Sequence, residues 1–301
     1  MIEERDYIAR AIAGSGQIRA FALTTKTLTE RVRRIHNYSP LAIAALGRVL
    51  SAALMLGDTL KDEKDMVTVF ARGDGPIKQI VATADSQGHV KGYASVPDVD
   101  LPLREDGHLN VGAAVGHGSL TVIKDMGFGE PYVGTVQLVS GEIGDDLTYY
   151  FAKSEQTPTA VGLGVLVDTD HTIKAAGGFI VQLLPGASEE VISKLEKNLT
   201  NVKSVTDILK DDKTPEELIQ IVLTGFDVEF LGTKDVSFQC TCSKERLTRT
   251  LKSLGREELT DMLEKDGKAE LTCDFCGKKH QFTADDLREI IASLDENKTG
   301  E

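Results

Sequence analysis

The sequence predicts an α+β protein: an N-terminal antiparallel-sheet domain with packed helices, then a helical linker, then a small C-terminal four-cysteine zinc module. Three observations predict it. Between Met66 and Leu138 short β-rich runs alternate with turn residues, so strands cluster rather than alternating with helices as in a doubly wound fold. Past Pro185-Gly186 the pattern turns helical. The chain has only four cysteines, all between Cys240 and Cys276.

The opening run, Met1 to Arg10, is charged from the start and has no signal-peptide apolar core. A cytoplasmic protein with reduced thiols is expected, and the glycosylation triplets at Asn37, Asn198 and Asn297 are read as chance matches. Gln17–Leu23 reads as a strand. A Thr-rich stretch then leads to the basic segment Arg31 to Arg34, read as a solvated helix face. Ser39-Pro40 offers an N-cap and a proline at the first helical position, opening an Ala/Leu-rich helix to about Gly57. Its stripe Leu41, Ala44, Ala45, Val49, Ala52, Ala53 and Leu56 recurs at helical spacing and marks a core helix. With Arg48 near its centre, the run is short of the roughly 20 apolar residues of a membrane span.

Val67–Phe70, Ile77–Val81, His89–Tyr93, Leu120–Ile123 and Val133–Leu138 are the β-rich runs, separated by turns at Gly73–Pro76, Ser86–Gly88 and Gly127–Gly129. They suit a meander-like antiparallel sheet, and Val161–Val167 and Gly178–Leu184 read as two further strands. Ser188 starts a helix that runs to about Leu199. Thr214 starts another, with Pro215 first and Glu217 completing a capping box. These features divide the chain into 1–185, a helical linker 186–231, and a module 232–301.

The composition is that of a globular protein, 41% hydrophobic and 27% charged. Aromatics are 5% and Trp is absent, so aliphatic residues build the core. Lys and Arg total 34 against 47 Asp and Glu, a net charge of −13. That balance disfavours nucleic acid and anionic membrane as partners, since both require a positive surface.

The cysteines stand as Cys240-Thr241-Cys242 and Cys273-Asp274-Phe275-Cys276, with 30 residues between the pairs. Two close pairs separated by a helical insert can set four sulfurs around one tetrahedral ion. Four thiolates about 2.3 Å from Zn2+ make a closed structural site, with no open position for a catalytic water. Gly277 after the second pair permits the tight turn of a zinc knuckle. Cys240, Cys242, Cys273 and Cys276 are thus the expected ligands of one Zn2+ per chain. His280 is read as a surface histidine, because four sulfurs complete the set. A thioredoxin-like dithiol at Cys273/Cys276 would need a βαβ context that is missing here. The module has few large apolar residues, so its folding should depend on its metal. Zinc thiolates remain open to oxidants, which makes the site a potential switch.

The cysteine motifs, extended as Cys240-Thr241-Cys242-Ser243-Lys244-Glu245-Arg246, occur with Tyr150-Phe151, Ser154-Glu155-Gln156 and the glycine-rich segment Ala176–Gly186. Together they resemble, nearly end to end, the heat-shock protein 33 family of redox-regulated chaperones. The resemblance implies an ATP-independent holdase, not an enzyme, that is zinc-bound and inactive when reduced. It implies that oxidation joins Cys240 to Cys242 and Cys273 to Cys276, that zinc leaves, and that the module and adjoining helices unfold. Unfolding client proteins would then be held by the exposed surfaces, with homodimerisation on activation. On this view 1–185 is the chaperone core and 232–301 the redox switch.

Other chemistry finds little support. There is no phosphate loop or Gly-x-Ser-x-Gly elbow, and Gly162-Leu163-Gly164 lacks the third glycine of a dinucleotide fingerprint. His108 and His117 are read as loop histidines, and Ser154–Gln156 as a turn after a helix. The alternatives that stay open are a zinc-ribbon nucleic-acid-binding protein and a thiol oxidoreductase using Cys273/Cys276.

Overall fold

The computed structural model describes residues 5–202 and 204–296; the first four residues of the charged opening run and the triplet at Asn297 lie outside the described residues. The chain forms two compact units, Met1–Gln239 and Cys240–Glu301.

In the first unit, strands β1 (Tyr7–Ala13) and β2 (Ile18–Thr24) lead into helices α1 (Lys26–His36) and α2 (Pro40–Gly57). Next come β3 (Met66–Gly73), β4 (Gln79–Asp85), β5 (His89–Ala94), α3 (Val111–Val115), β6 (Gly118–Asp125), β7 (Tyr132–Gln137) and α4 (Gly144–Tyr150). A π-turn at Phe151–Glu155 precedes β8 (Thr159–Val167) and β9 (Ile173–Leu183). Helices α5 (Glu189–Asn201), α6 (Val205–Leu209) and α7 (Pro215–Val222) follow, and β10 (Val228–Asp235) and β11 (Ser237–Phe238) close the unit.

These strands make two sheets. One runs β10–β1–β2–β9–β8 and is antiparallel throughout. The other runs β11–β5–β4–β3–β6–β7, with only the short β11–β5 pair parallel. The antiparallel α+β class is as the sequence predicts, but β8 and β9 do not extend the meander. β9 pairs with β2, whose other neighbour is β1, a strand hidden in the charged opening run. β4 also starts two residues later than its apolar run, because Lys78 takes a φ of +67° and the Ile77 N–H is bonded to Ala114.

Helix α2 packs against strands of both sheets. Ser39 caps it, accepting from the Ala42 N–H at 3.4 Å. Every residue from Leu41 to Gly57 except Arg48 is buried, not only the stripe the sequence marks. A helix between two layers must be apolar all round. By length and composition it would also pass for a membrane span, yet 89% of it is buried within the fold. Its small residues permit close approach: a Cβ at Gly57 would lie 2.6 Å from the Asp85 carbonyl oxygen. Arg48, the exception, pairs with Glu142.

The far face of the first sheet is covered by α5, α6 and α7. Leu195, Val205, Leu209, Leu218, Ile219 and Val222 pack there against alanines 9, 11, 13, 20 and 22. α7 begins with the expected capping box, the Glu217 N–H donating to Thr214 Oγ1 and the Thr214 N–H to Glu217.

The basic segment lies on α1 but is not simply solvated. Glu30 holds Arg33 at 2.8 Å and Arg34 at 2.6 Å, and the Arg33 side chain is only 15% exposed. Arg33, aided by Arg34 and the Ile173 N–H and opposed by burial, holds the Glu30 carboxyl down to about 2. A depressed folded-state pKa stabilises the fold above the ordinary value near 4.5, and that contribution is lost as pH falls toward 2. Stability measured by urea titration should therefore drop over this window, and Glu30→Gln should flatten the drop.

Buried Asp146 organises the loop before α4, accepting the N–H groups of Val139, Ser140 and Ile143 at 2.7, 3.0 and 2.9 Å. Asp146→Ala orphans these donors and should cost about 3 kcal/mol in the same urea titration, since each buried unpaired donor costs about 1–3 kcal/mol.

Candidate metal centre

The second unit is built from α8 (Lys244–Ser253), α9 (Arg256–Lys265), β12 (Lys268–Thr272), β13 (Lys279–Thr283) and α10 (Ala284–Glu296). Its core is small: Leu251, Leu259, Phe282, Leu287, Ile290 and Ile291 are the buried members. Lys244 ties α8 to α10 through Asp286 at 2.7 Å and lies over the Phe282 ring.

Each cysteine pair is placed by a local device. Cys240 and Cys242 lead directly into α8, whose N-cap Ser243 accepts from the Arg246 N–H at 3.3 Å. Cys273 and Cys276 occupy the turn between β12 and β13. There the Cys273 N–H donates to the Lys278 carbonyl and the Gly277 N–H to the Cys273 carbonyl. Gly277 has a φ of +68°, the left-handed conformation that the knuckle reading required.

All four Sγ atoms lie within 4.8 Å of one another. Cys240 and Cys273 approach to 3.7 Å, and Cys242 and Cys276 to 3.4 Å. These are free thiols, far beyond the roughly 2.05 Å of a disulfide. Four sulfurs each about 2.3 Å from a central ion would form a tetrahedron with edges of about 3.8 Å, so the donor set fits a metal ion.

The electrostatics agree. Burial, reinforced by the neighbouring thiols, pushes the Cys242 thiol up to about 12, and burial also raises Cys240. Burial acts the same way on Cys276, but the Lys278 N–H and the three other sulfurs outweigh it and hold that thiol below its ordinary value. Ionising all four sulfurs requires a positive ion among them.

His280 corrects the sequence reading. It is buried, not on the surface, with Nε2 3.4 Å from Cys242 Sγ. In β13 the residues alternate, so His280 and Phe282 face inward while Lys279, Gln281 and Thr283 face out. That period of two is present in the sequence and was the signal available for its burial.

Among the described residues, the other histidines do not gather into a site. His108 lies 3.1 Å from Asp106 in an exposed loop, and His89 pairs with Asp85 at 2.9 Å. Ser154–Gln156 ends the π-turn, in accord with its reading as a turn. The sequence did not reveal the polar contacts there. Glu155 accepts from Lys124 at 2.5 Å and from the Tyr150 hydroxyl at 2.9 Å, and burial with that carboxylate raises the Tyr150 pKa.

Residues 6–283 match the sequence profile described as Hsp33 protein. The 33 kDa chaperonin of Clostridioides difficile (strain 630) is 49% identical over 291 residues, covering 96% of this chain and 100% of that protein. That of Bacillus velezensis is 47% identical over 286 residues, covering 95% and 98%. The crystal structure of the 33 kDa chaperonin (heat shock protein 33 homolog) from Thermotoga maritima superposes with a TM-score of 0.88 at 35% identity, covering 97% of this chain and 100% of that one. Matched in sequence and fold over nearly its whole length, the chain belongs to the Hsp33 family of chaperones.

Proposed function

We propose that this protein is a redox-regulated, ATP-independent holdase whose switch is a Zn2+ site formed by Cys240, Cys242, Cys273 and Cys276. The observation that carries the reading is the convergence of four thiols in a unit with a six-residue buried core, within a chaperone family. Bound Zn2+ supplies the positive charge that lets all four sulfurs ionise, and it ties the β12–β13 turn to the start of α8. On that footing the metal contributes much of the unit's folding energy, about 10–16 kcal/mol in small zinc peptides.

Activation consumes thiols. Cys240 and Cys242 join, as do Cys273 and Cys276. Each disulfide forms as two sulfurs give two electrons to peroxide, which takes up two protons and leaves as two waters. Disulfide sulfurs are poor donors, so the ion loses its ligands and the unit loses its tie. Residues 232–301 act as the switch, 186–231 as the segment that then loosens, and 1–185 as the body that holds clients. Loosening α5–α7 uncovers the alanine-rich face of the first sheet. No turnover is involved, so the protein is not an enzyme; it works in the cytoplasm and dimerises when active. The zinc-ribbon reading loses ground because two of the three arginines in the basic cluster are engaged by Glu30 within α1 and the chain carries −13.

The decisive measurement is zinc content and client aggregation before and after peroxide. The reduced protein should hold one Zn2+ per chain and suppress little aggregation of a heat-unfolding enzyme; the oxidised protein should release the ion and suppress it strongly. Suppression with the zinc retained would defeat the mechanism. In the reduced protein, Cys242→Ser should weaken zinc binding more than about 100-fold. Its residues 240–296 should then exchange amide hydrogens freely while β3, β4 and β6 stay protected.

A further inference from the structure

One segment closes both sheets of the first unit at once. Residues 228–239 run as the outermost strand of the first sheet, paired with β1 from Tyr7↔Asp235 to Ala13↔Val228, and then as the outermost strand of the second, paired with β5. Backbone hydrogen bonds continue across the junction: Val236 N–H to Asp6, Ser237 N–H to Gly88 and Gln239 N–H to Val90, at 3.1, 2.9 and 2.9 Å. The fit at the crossing is tight, since a Cβ at Gly88 would lie 2.3 Å from the Asp235 carbonyl oxygen.

Lys234 anchors this strap to the end of α2, alongside Arg31, which donates to the Phe238 carbonyl and lies over its ring, and Arg5, which pairs with Asp235. Lys234 Nζ lies 2.6 Å from Asp58 Oδ1 at the end of α2 and 2.7 Å from the Ser86 carbonyl. The Asp58 side chain is 2% exposed, and its other neighbour, Arg10, stands off at 3.5 Å. Removing Lys234 therefore leaves a buried carboxylate without a close partner, a costly state that favours a replacement cation. The strap ends one residue before Cys240, so its far end is tethered to the metal ligand set.

We propose that the strap is a displaceable edge strand, and that β1 and β5 beneath it take extended segments of unfolding client polypeptide by strand addition. This rests on the chaperone reading above. The edges already hold an extended segment of mixed composition, Val228-Glu229-Phe230-Leu231 among it, mainly through backbone hydrogen bonds, which accept any sequence. β1 presents alanines at 9, 11 and 13, which impose little side-chain selection. Asp58 adds one preference: a lysine or arginine in the client segment, replacing Lys234, favoured further by the net charge of −13. In the resting state the strap is an autoinhibitory occupant of the client's place.

The test is hydrogen exchange on the full chain, reduced, oxidised, and oxidised with a heat-unfolding client, beside an aggregation assay. Amides of β1 and β5 should gain exchange at least tenfold on oxidation and regain protection when client binds. A synthetic peptide of residues 228–239 should compete with client. The same peptide with Lys234→Glu should compete at least tenfold less well, and one N-methylated along its bonding edge not at all. Suppression of aggregation with β1 and β5 as protected as before, or with no reprotection by client, or with equal competition by all peptides, overturns this inference alone. If the oxidised protein suppresses no aggregation, the chaperone reading falls and takes this one with it.

Discussion

The first unit is organised by the burial of α2 between two sheets. A helix enclosed on every side must be apolar around its circumference and small where the strands cross it, which is why Ala42, Ala44, Gly47, Ser51 and Ala52 share it with Ile43, Leu50 and Met55. Once both sheets back onto the same helix, each has one face settled, and their remaining surfaces need separate covers. The strands record the outcome. β9 is buried almost continuously from Ala175 to Gln182, because its sheet is covered on both faces, whereas β3, β5 and β7 alternate. Residues 186–239 then do the covering: three helices over one face, and the strap along the two edges.

The second unit obeys a different constraint. Its buried core comprises only a few residues, half of them from α10, and α8, α9, α10 and the β12–β13 hairpin meet around it. The thiol cluster lies where the beginning of α8 meets the hairpin turn, two places that share no backbone ladder. A bond through a common ion is therefore worth most there. His280 extends the cluster: packed against Cys242, it offers a nitrogen next to the sulfurs.

Much of this was legible because the signals were local. Ser39-Pro40 and Thr214-Pro215 with Glu217 mark helix starts through capping, which depends on neighbours three residues apart. Gly277 marks the knuckle through backbone conformation alone, and the cysteine spacing brought the four thiols into one cluster. What was not legible is set by distant pairing. β1 is masked in the charged opening run because half of its apolar residues are alanine, with Arg10 in its middle and Arg5 and Asp6 before it; its place as a strand depends on β2 and on β10 from the end of the unit. That β8 and β9 belong with it follows from the same long-range closure. The pairing of Arg33 and Arg34 with Glu30 was hidden because Glu30, adjacent in sequence, looks like one more charge on a polar helix.

The two faces of the first sheet differ in a way that bears on how it could be uncovered. Toward α2 it presents Ile8, Phe21, Leu23 and Ile180, all buried. Toward α5–α7 it presents Ala9, Ala11, Ala13, Ala20 and Ala22, with Ile18, Phe179 and Val181 as the larger members. Each buried methylene contributes about 0.8 kcal/mol, so an alanine in place of a leucine forfeits roughly 2 kcal/mol of burial. The layer over the alanine face is thus held less strongly per residue than the layer around α2. It is also the layer continuous in sequence with the cysteine unit. A fold with one strongly packed face and one thinly packed face can lose the second without dissolving the first, and its net charge of −13 opposes association of the surface laid bare.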